Sequence, residues 1–178
     1  RTRFPGNDPS TDLTVFNGIY LEPVRKAMVW WDRKPMYRGA SFTHLRKIGN
    51  LDLNTGANYY RDEGFRELEH EHRIRGNLGL RYRFKRVAGL SAGLASSFMY
   101  TDHADFILWQ DADSGAYRQN PETYARLFGH RYNIDPYVEY YTLGGSKHTL
   151  KTRLYSVGNN TVDSTKNSFS KVWFAEYR

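Results

Sequence analysis

The chain has no cysteine among its 178 residues. That excludes a disulfide framework and any thiolate metal site, while leaving the compartment open. Nor does it hold an apolar run approaching the roughly 18 residues that a membrane-spanning helix requires, a limit that does not apply to strands. It lacks a secretory leader: it opens Arg1-Thr2-Arg3-Phe4-Pro5-Gly6, with no apolar stretch and no initiator Met. The expectation is that this N-terminus is internal to a longer protein. Apolar residues are scarce, at 39%, yet aromatics reach 16%, with 14 Tyr, 10 Phe and 4 Trp. A soluble core is led by Leu, Ile and Val, whereas a wall with one lipid face and one wet face combines low hydrophobicity with many interfacial aromatics. The net charge of +7 would suit nucleic acid only if it were gathered into a patch. Lys and Arg are instead scattered and alternate with apolar residues, so no nucleic-acid partner is expected.

What is present is alternation with period two. In Arg73 to Phe84, Ile74, Leu78, Leu80, Tyr82 and Phe84 fall on one face, and Arg73, Arg75, Asn77, Arg81 and Arg83 on the other. A helix would mix the two sets, so the segment is a strand, although a soluble sandwich strand alternates in the same way. Leu51, Leu53, Ala57 and Tyr59 oppose Asp52, Asn54, Asn58 and Tyr60. Leu90, Ala92, Leu94, Phe98 and Tyr100 oppose Ser91, Gly93, Ser97 and Met99. Further strands are expected near 11 to 21, 36 to 47, 131 to 143, 147 to 157 and 168 to 178, eight in all. In two of these, Ile134 and Val138 oppose Asp135 and Glu139, and Leu150 and Leu154 oppose Lys151 and Arg153. Pro136 has no amide to donate, so a bulge or a locally unpaired position is expected there.

The connections are expected to alternate in length. Short ones fall at 47–50, 85–88 and 144–146; long ones fall at 22–35, 63–72, 102–130 and 158–167, with Phe106 to Trp109 continuing the strand before them. Strands of ten or more residues, joined by short turns at one end and long loops at the other, describe an antiparallel transmembrane β-barrel wall. The expected fold is therefore all-β.

Five stretches carry a family resemblance: TRFPG at 2–6, WWDRKPMYRGASF at 30–42, KIGNLDLNTGANYYRDEGFR at 47–66, RGNLGLRYRFKRVAGLSAGL at 75–94 and ILWQDADSGAYR at 107–118. In this order they resemble the TonB-dependent outer-membrane receptors of Bacteroidota, the SusC-like and related nutrient importers, over essentially the whole chain. The resemblance implies a plug-to-barrel junction at 1–10 and the first eight strands of a plugged barrel of about 22 strands at 11–178. It also implies TonB-dependent nutrient import, with no enzyme activity. The implied partners are the rest of the receptor, a TonB-type energy transducer, outer-membrane lipid and a surface lipoprotein of SusD type. A passive porin or an adhesion barrel is the alternative, followed by a barrel-borne enzyme, for which neither Gly-x-Ser-x-Gly nor His-Glu-x-x-His is present.

The candidate sites each have a plainer reading. Arg73, Arg75, Arg81 and Arg83, with Asp52, Asn54, Asn58, Asp135 and Glu139, form an expected lumen- or plug-facing set. Pairing with a plug or a neighbouring strand is preferred over cargo binding, because confined charges need partners whatever the function. Trp30, Trp31, Trp109, Tyr117 and Arg118 are ligand candidates in the long loops, set against an aromatic girdle that would use the same residue types. Asp111 and Asp113 are spaced like the start of a calcium loop, but the remaining ligands are missing and Asp-Ser-Gly is turn chemistry. No metal or other cofactor is expected there, nor at the acid and imidazole run from Glu67 to His72.

Overall fold

The computed structural model describes residues 4–6, 8–162 and 164–178. Residues 1–3 and 7 of the expected junction at 1–10 lie outside the described residues. Eight strands form one antiparallel sheet in chain order: β1 Ser10–Ile19, β2 Met36–Ile48, β3 Leu51–Asp62, β4 His70–Arg83, β5 Leu90–Asp105, β6 Ala125–Tyr141, β7 Lys147–Thr161 and β8 Ser168–Tyr177. Each strand pairs with the next, β1 does not pair with β8, and the sheet is open. There is no α-helix among the described residues, only single 3-10 turns in the loops, and no helix long and apolar enough to cross a membrane.

Local chemistry sets the turns. Gly49 adopts φ 59° at the first position of the two-residue link between β2 and β3, where a hairpin turn needs a residue free of Cβ strain. The Asn50 amide then donates to the Arg83 carbonyl at 2.7 Å, tying this turn to β4. Pro136 pairs with Leu94 of β5, while the ladder to β7 skips from Ile134 to Tyr137. The register is the same on either side of the gap, so Pro136 is locally unpaired and not bulged.

Strands run further than the alternation alone indicates. β5 and β6 continue to Asp105 and back to Ala125, and β7 to Thr161, reducing the expected loops at 102–130 and 158–167 to 106–124 and 162–167. The reason is that ladder hydrogen bonds continue into segments such as Asp102 to Asp105 and Ala125 to His130, where polar and apolar residues do not alternate and nothing in the pattern marks the strand. With 63–69, 84–89 and 162–167 so close in length, the alternation of loop lengths is weaker than expected. Phe106 to Trp109 do not extend β5; Trp109 instead forms an isolated bridge with Gln119 inside the loop.

Register sorts the side chains onto two faces. One carries Asp52, Arg81, Tyr137, Lys151 and Glu176 in a single row across β3 to β8. The other carries Leu13, Val15, Phe42, Leu78, Ile74, Phe98, Ile134, Leu154 and Trp173, all exposed. Among the described residues the buried hydrophobic side chains are Leu45 and Ala104, whereas the buried polar ones include Asp52, Gln119 and Ser156. The usual order of inside and outside is thus inverted. The chain exposes 12128 Å², against about 8,900 Å² for a compact soluble protein of its mass.

Candidate functional site

The polar face is an ionic ladder. Asp52 on β3, 1% exposed, accepts from Arg81 Nε at 2.8 Å and from Arg83 Nη1 at 3.2 Å, both on β4. Two guanidinium forks close on one carboxylate because Arg81 and Arg83 lie two residues apart and therefore share a face. Asp135 on β6 takes a bidentate pair from Arg153 on β7, at 2.9 and 2.7 Å, and an amide bond from Asn133 at 3.0 Å. Glu139 pairs with Lys147 at 2.9 Å. Arg73 is held by Glu71 of its own strand at 2.8 Å and lies over the Tyr60 ring at 5.1 Å. Arg75 donates to the Met99 sulfur at 3.5 Å. Asn58 donates weakly to the Ala40 carbonyl at 3.4 Å, and Asn54 lies beside Asp52 on the same face.

The register therefore gathers the expected Arg, Asp, Asn and Glu set on one face, with most of its charges answered by neighbouring strands. A residue the alternation did not reveal also joins it. The Phe4 ring packs against the Arg81 guanidinium at 3.6 Å, above a hollow lined by Gly79, Ala95, Tyr137 and Arg153. Small residues make the room. A Cβ on Gly93 would sit 2.3 Å from the Tyr137 ring and 2.5 Å from the Leu80 carbonyl.

At the long-loop end the aromatic candidates separate. Trp30 and Trp31 pack edge to face, and the Trp30 indole donates to the Phe65 carbonyl at 3.0 Å. Phe65 touches Trp31, Tyr20 and Tyr117, its centroid 4.8 Å from the last. These rings join the loops 20–35, 63–69 and 106–124 into one cluster. Tyr117 also accepts the Glu67 amide through its carbonyl. Trp109 lies apart and is 56% exposed, and Arg118 beside it is exposed, its carbonyl bonded to the Gln110 amide at 2.8 Å. Phe65 was legible only as an aromatic in a glycine-flanked loop.

The Asp111 carboxylate is used by its own loop, accepting the amides of Asp113 and Gly115 at 2.8 and 2.9 Å. Those two donors hold it below the ordinary carboxylate range. The run from Glu67 to His72 is dispersed: Glu69 pairs with Arg66, Glu71 with Arg73, His70 approaches Asp102 at 3.4 Å, and His72 packs on Tyr59. Among the described residues no group of three His, Asp or Glu is set to hold a metal ion.

The apolar face is bounded by two aromatic rows. Toward the short turns lie Tyr82, Phe84, Tyr140, His148 and Tyr177, with His148 Nδ1 2.7 Å from the Tyr177 hydroxyl. Toward the long loops lie Tyr59, Tyr100, His130 and Phe169 in register, separated by Ile74 and Gly158. Two hydroxyls between the rows turn to the backbone, Ser96 donating to the Asn133 carbonyl at 2.9 Å and Thr55 to that of Asn77 at 3.3 Å, while the buried Ser156 hydroxyl on the same face has no hydrogen-bond partner among the described residues. Lys171 lies within this band, its ammonium folded over the Phe169 ring at 5.1 Å, toward the aromatic boundary. No family model, curated protein or solved structure matches the chain.

Proposed function

We propose that this sheet is a sector of the wall of a bacterial outer-membrane β-barrel, and that the barrel imports a nutrient in a TonB-dependent way. The observation that carries the wall is the inverted burial: an exposed apolar face between two aromatic rows, backed by an ionic ladder whose Asp52 carboxylate is buried. From the Leu90 and Tyr140 row to the Tyr100 row, β5 covers about 33 Å of strand, or about 25 Å of height at a tilt near 40°. That matches the apolar band of such barrels. The exposed edges of β1 and β8 would pair with further strands of the same receptor, since unpaired amides are costly in lipid.

Import rests on the five sequence stretches and is supported by Phe4, whose place on the ladder suits a segment leaving a plug held by hydrogen bonds and ion pairs. In this mechanism the outer loops, with any surface lipoprotein of SusD type, capture the cargo. A TonB-type transducer then shifts the plug between two states that bind cargo differently. Addition of the full-length protein to planar lipid bilayers tests the proposal. A plugged importer inserts without steady ion current, stepwise open currents identify a porin, and a protein that stays soluble and never inserts contradicts the wall itself.

A further inference from the structure

One row beyond the aromatic boundary, the apolar face changes character. Arg38 of β2 and Arg61 of β3 stand directly opposite each other in register, and His72 follows on β4. Like charges facing each other across a ladder repel, and such a pair persists at a cost unless an anion bridges it. Both arginines are exposed, and no carboxylate among the described residues bonds either of them. Three carboxylates at this end are engaged elsewhere: Glu63 with Arg33, Glu71 with Arg73, and Asp102 with Arg126.

In the row below the pair Ala40 lies opposite Tyr59, and in the next row Ala57 and Gly76 lie side by side, so a shallow track of small residues runs obliquely past the Tyr59 ring toward the middle of the band; a Cβ on Gly76 would meet nothing within 4 Å. A larger ridge stands on each side, with Phe42 and Val15 toward β1 and Phe98 toward β5. We propose that Arg38 and Arg61 form a site for the phosphate headgroup of an anionic membrane lipid, whose acyl chain lies along the Ala40, Ala57 and Gly76 track. Two guanidinium forks suit a phosphate's several acceptor oxygens. The position, just past an aromatic row and continuous with apolar surface, selects an amphiphile over a free ion. This site rests on the outer-membrane reading.

The test uses the full-length protein in neutral detergent micelles, titrated with short-chain phosphatidylglycerol, phosphatidylcholine or inorganic phosphate, with bound adducts counted by native mass spectrometry. The R38Q/R61Q variant is expected to lose roughly tenfold to thirtyfold in phosphatidylglycerol affinity and nothing in phosphatidylcholine binding. R38K/R61K, which keeps the charge without the fork, is expected to fall between. Equal phosphatidylglycerol binding by wild type and both variants, each with unchanged heat-dependent gel mobility, overturns the site. So does inorganic phosphate displacing the lipid at equal concentration, which would mark a free-anion site. A wild type that never enters lipid vesicles removes the outer-membrane reading instead, and the site with it.

Discussion

Asp52 shows how a single carboxylate organises the polar face. It is 1% exposed and holds two arginines, of which Arg81 is 24% and Arg83 41% exposed at the side chain. Asp52→Ala leaves both guanidinium groups without this partner, at an expected cost on the order of 3 kcal/mol, the lower end for breaking a buried pair because Arg83 is partly screened by solvent. Urea unfolding of the full-length protein in micelles measures this, and an unchanged midpoint would show that Asp52 is dispensable. Gly93 has the opposite role, leaving room where Tyr137 lies across the strand. Gly93→Ala is expected to destabilise by about 1–3 kcal/mol through overpacking, read in the same unfolding experiment. The Asp52 pairing was legible in part, because Asp52 falls on the polar face of its strand and Arg81 and Arg83 on that of theirs, whereas the register that sets them opposite one another belongs to the β3–β4 ladder. Phe4 was not, since its contact with Arg81 spans a long stretch of chain and nothing in a local pattern encodes such a distance.

At the scale of elements, all eight strands were located, and in five of them alternation also sorted the faces; β1, β2 and β8 carry apolar residues on both faces and show no such division. Strand ends were harder to read: past the long-loop aromatic row the ladders of β5, β6 and β7 continue without an alternating pattern to mark them. The loops were the least legible part. Trp30, Trp31 and Tyr117 stood as ligand candidates set against an aromatic girdle, and what joins them is Phe65, which pattern reading passed over. Phe65→Ala is expected to speed proteolysis within 20–35 and 106–124 severalfold while leaving the sheet's unfolding midpoint nearly unchanged, since loops open independently of the ladders. Equal cleavage rates would show the loops to be held by other contacts. The Asp111 turn has a pH signature. Its carboxyl is held below the ordinary value by the Asp113 and Gly115 amides, so its contribution is complete above the usual aspartate range near about 3.9 and is lost as pH falls through the lowered value. The Gly115 amide shift in an NMR titration is expected to move with a midpoint below that range; a midpoint at or above it contradicts the capping geometry.

For the whole molecule the question is what meets the apolar face. A compact soluble fold would have to cover Leu13, Phe42, Phe98, Ile134 and Trp173, all of which are exposed. Composition had already signalled this, since few aliphatics and many aromatics suit a boundary better than a core. It could not signal the open edges of β1 and β8, which belong to topology. The lack of cysteine in this chain makes the central claim directly measurable. Single cysteines at positions 74, 78, 98 and 134 of the apolar face, and at 75, 77, 97 and 133 of the polar face, would carry nitroxide labels in the full-length protein reconstituted into lipid vesicles. The account expects high collision with oxygen and low collision with a water-soluble nickel complex at the first set, and the reverse at the second. Equal access of the nickel complex to both sets, or no alternation along β4 and β6, would contradict it.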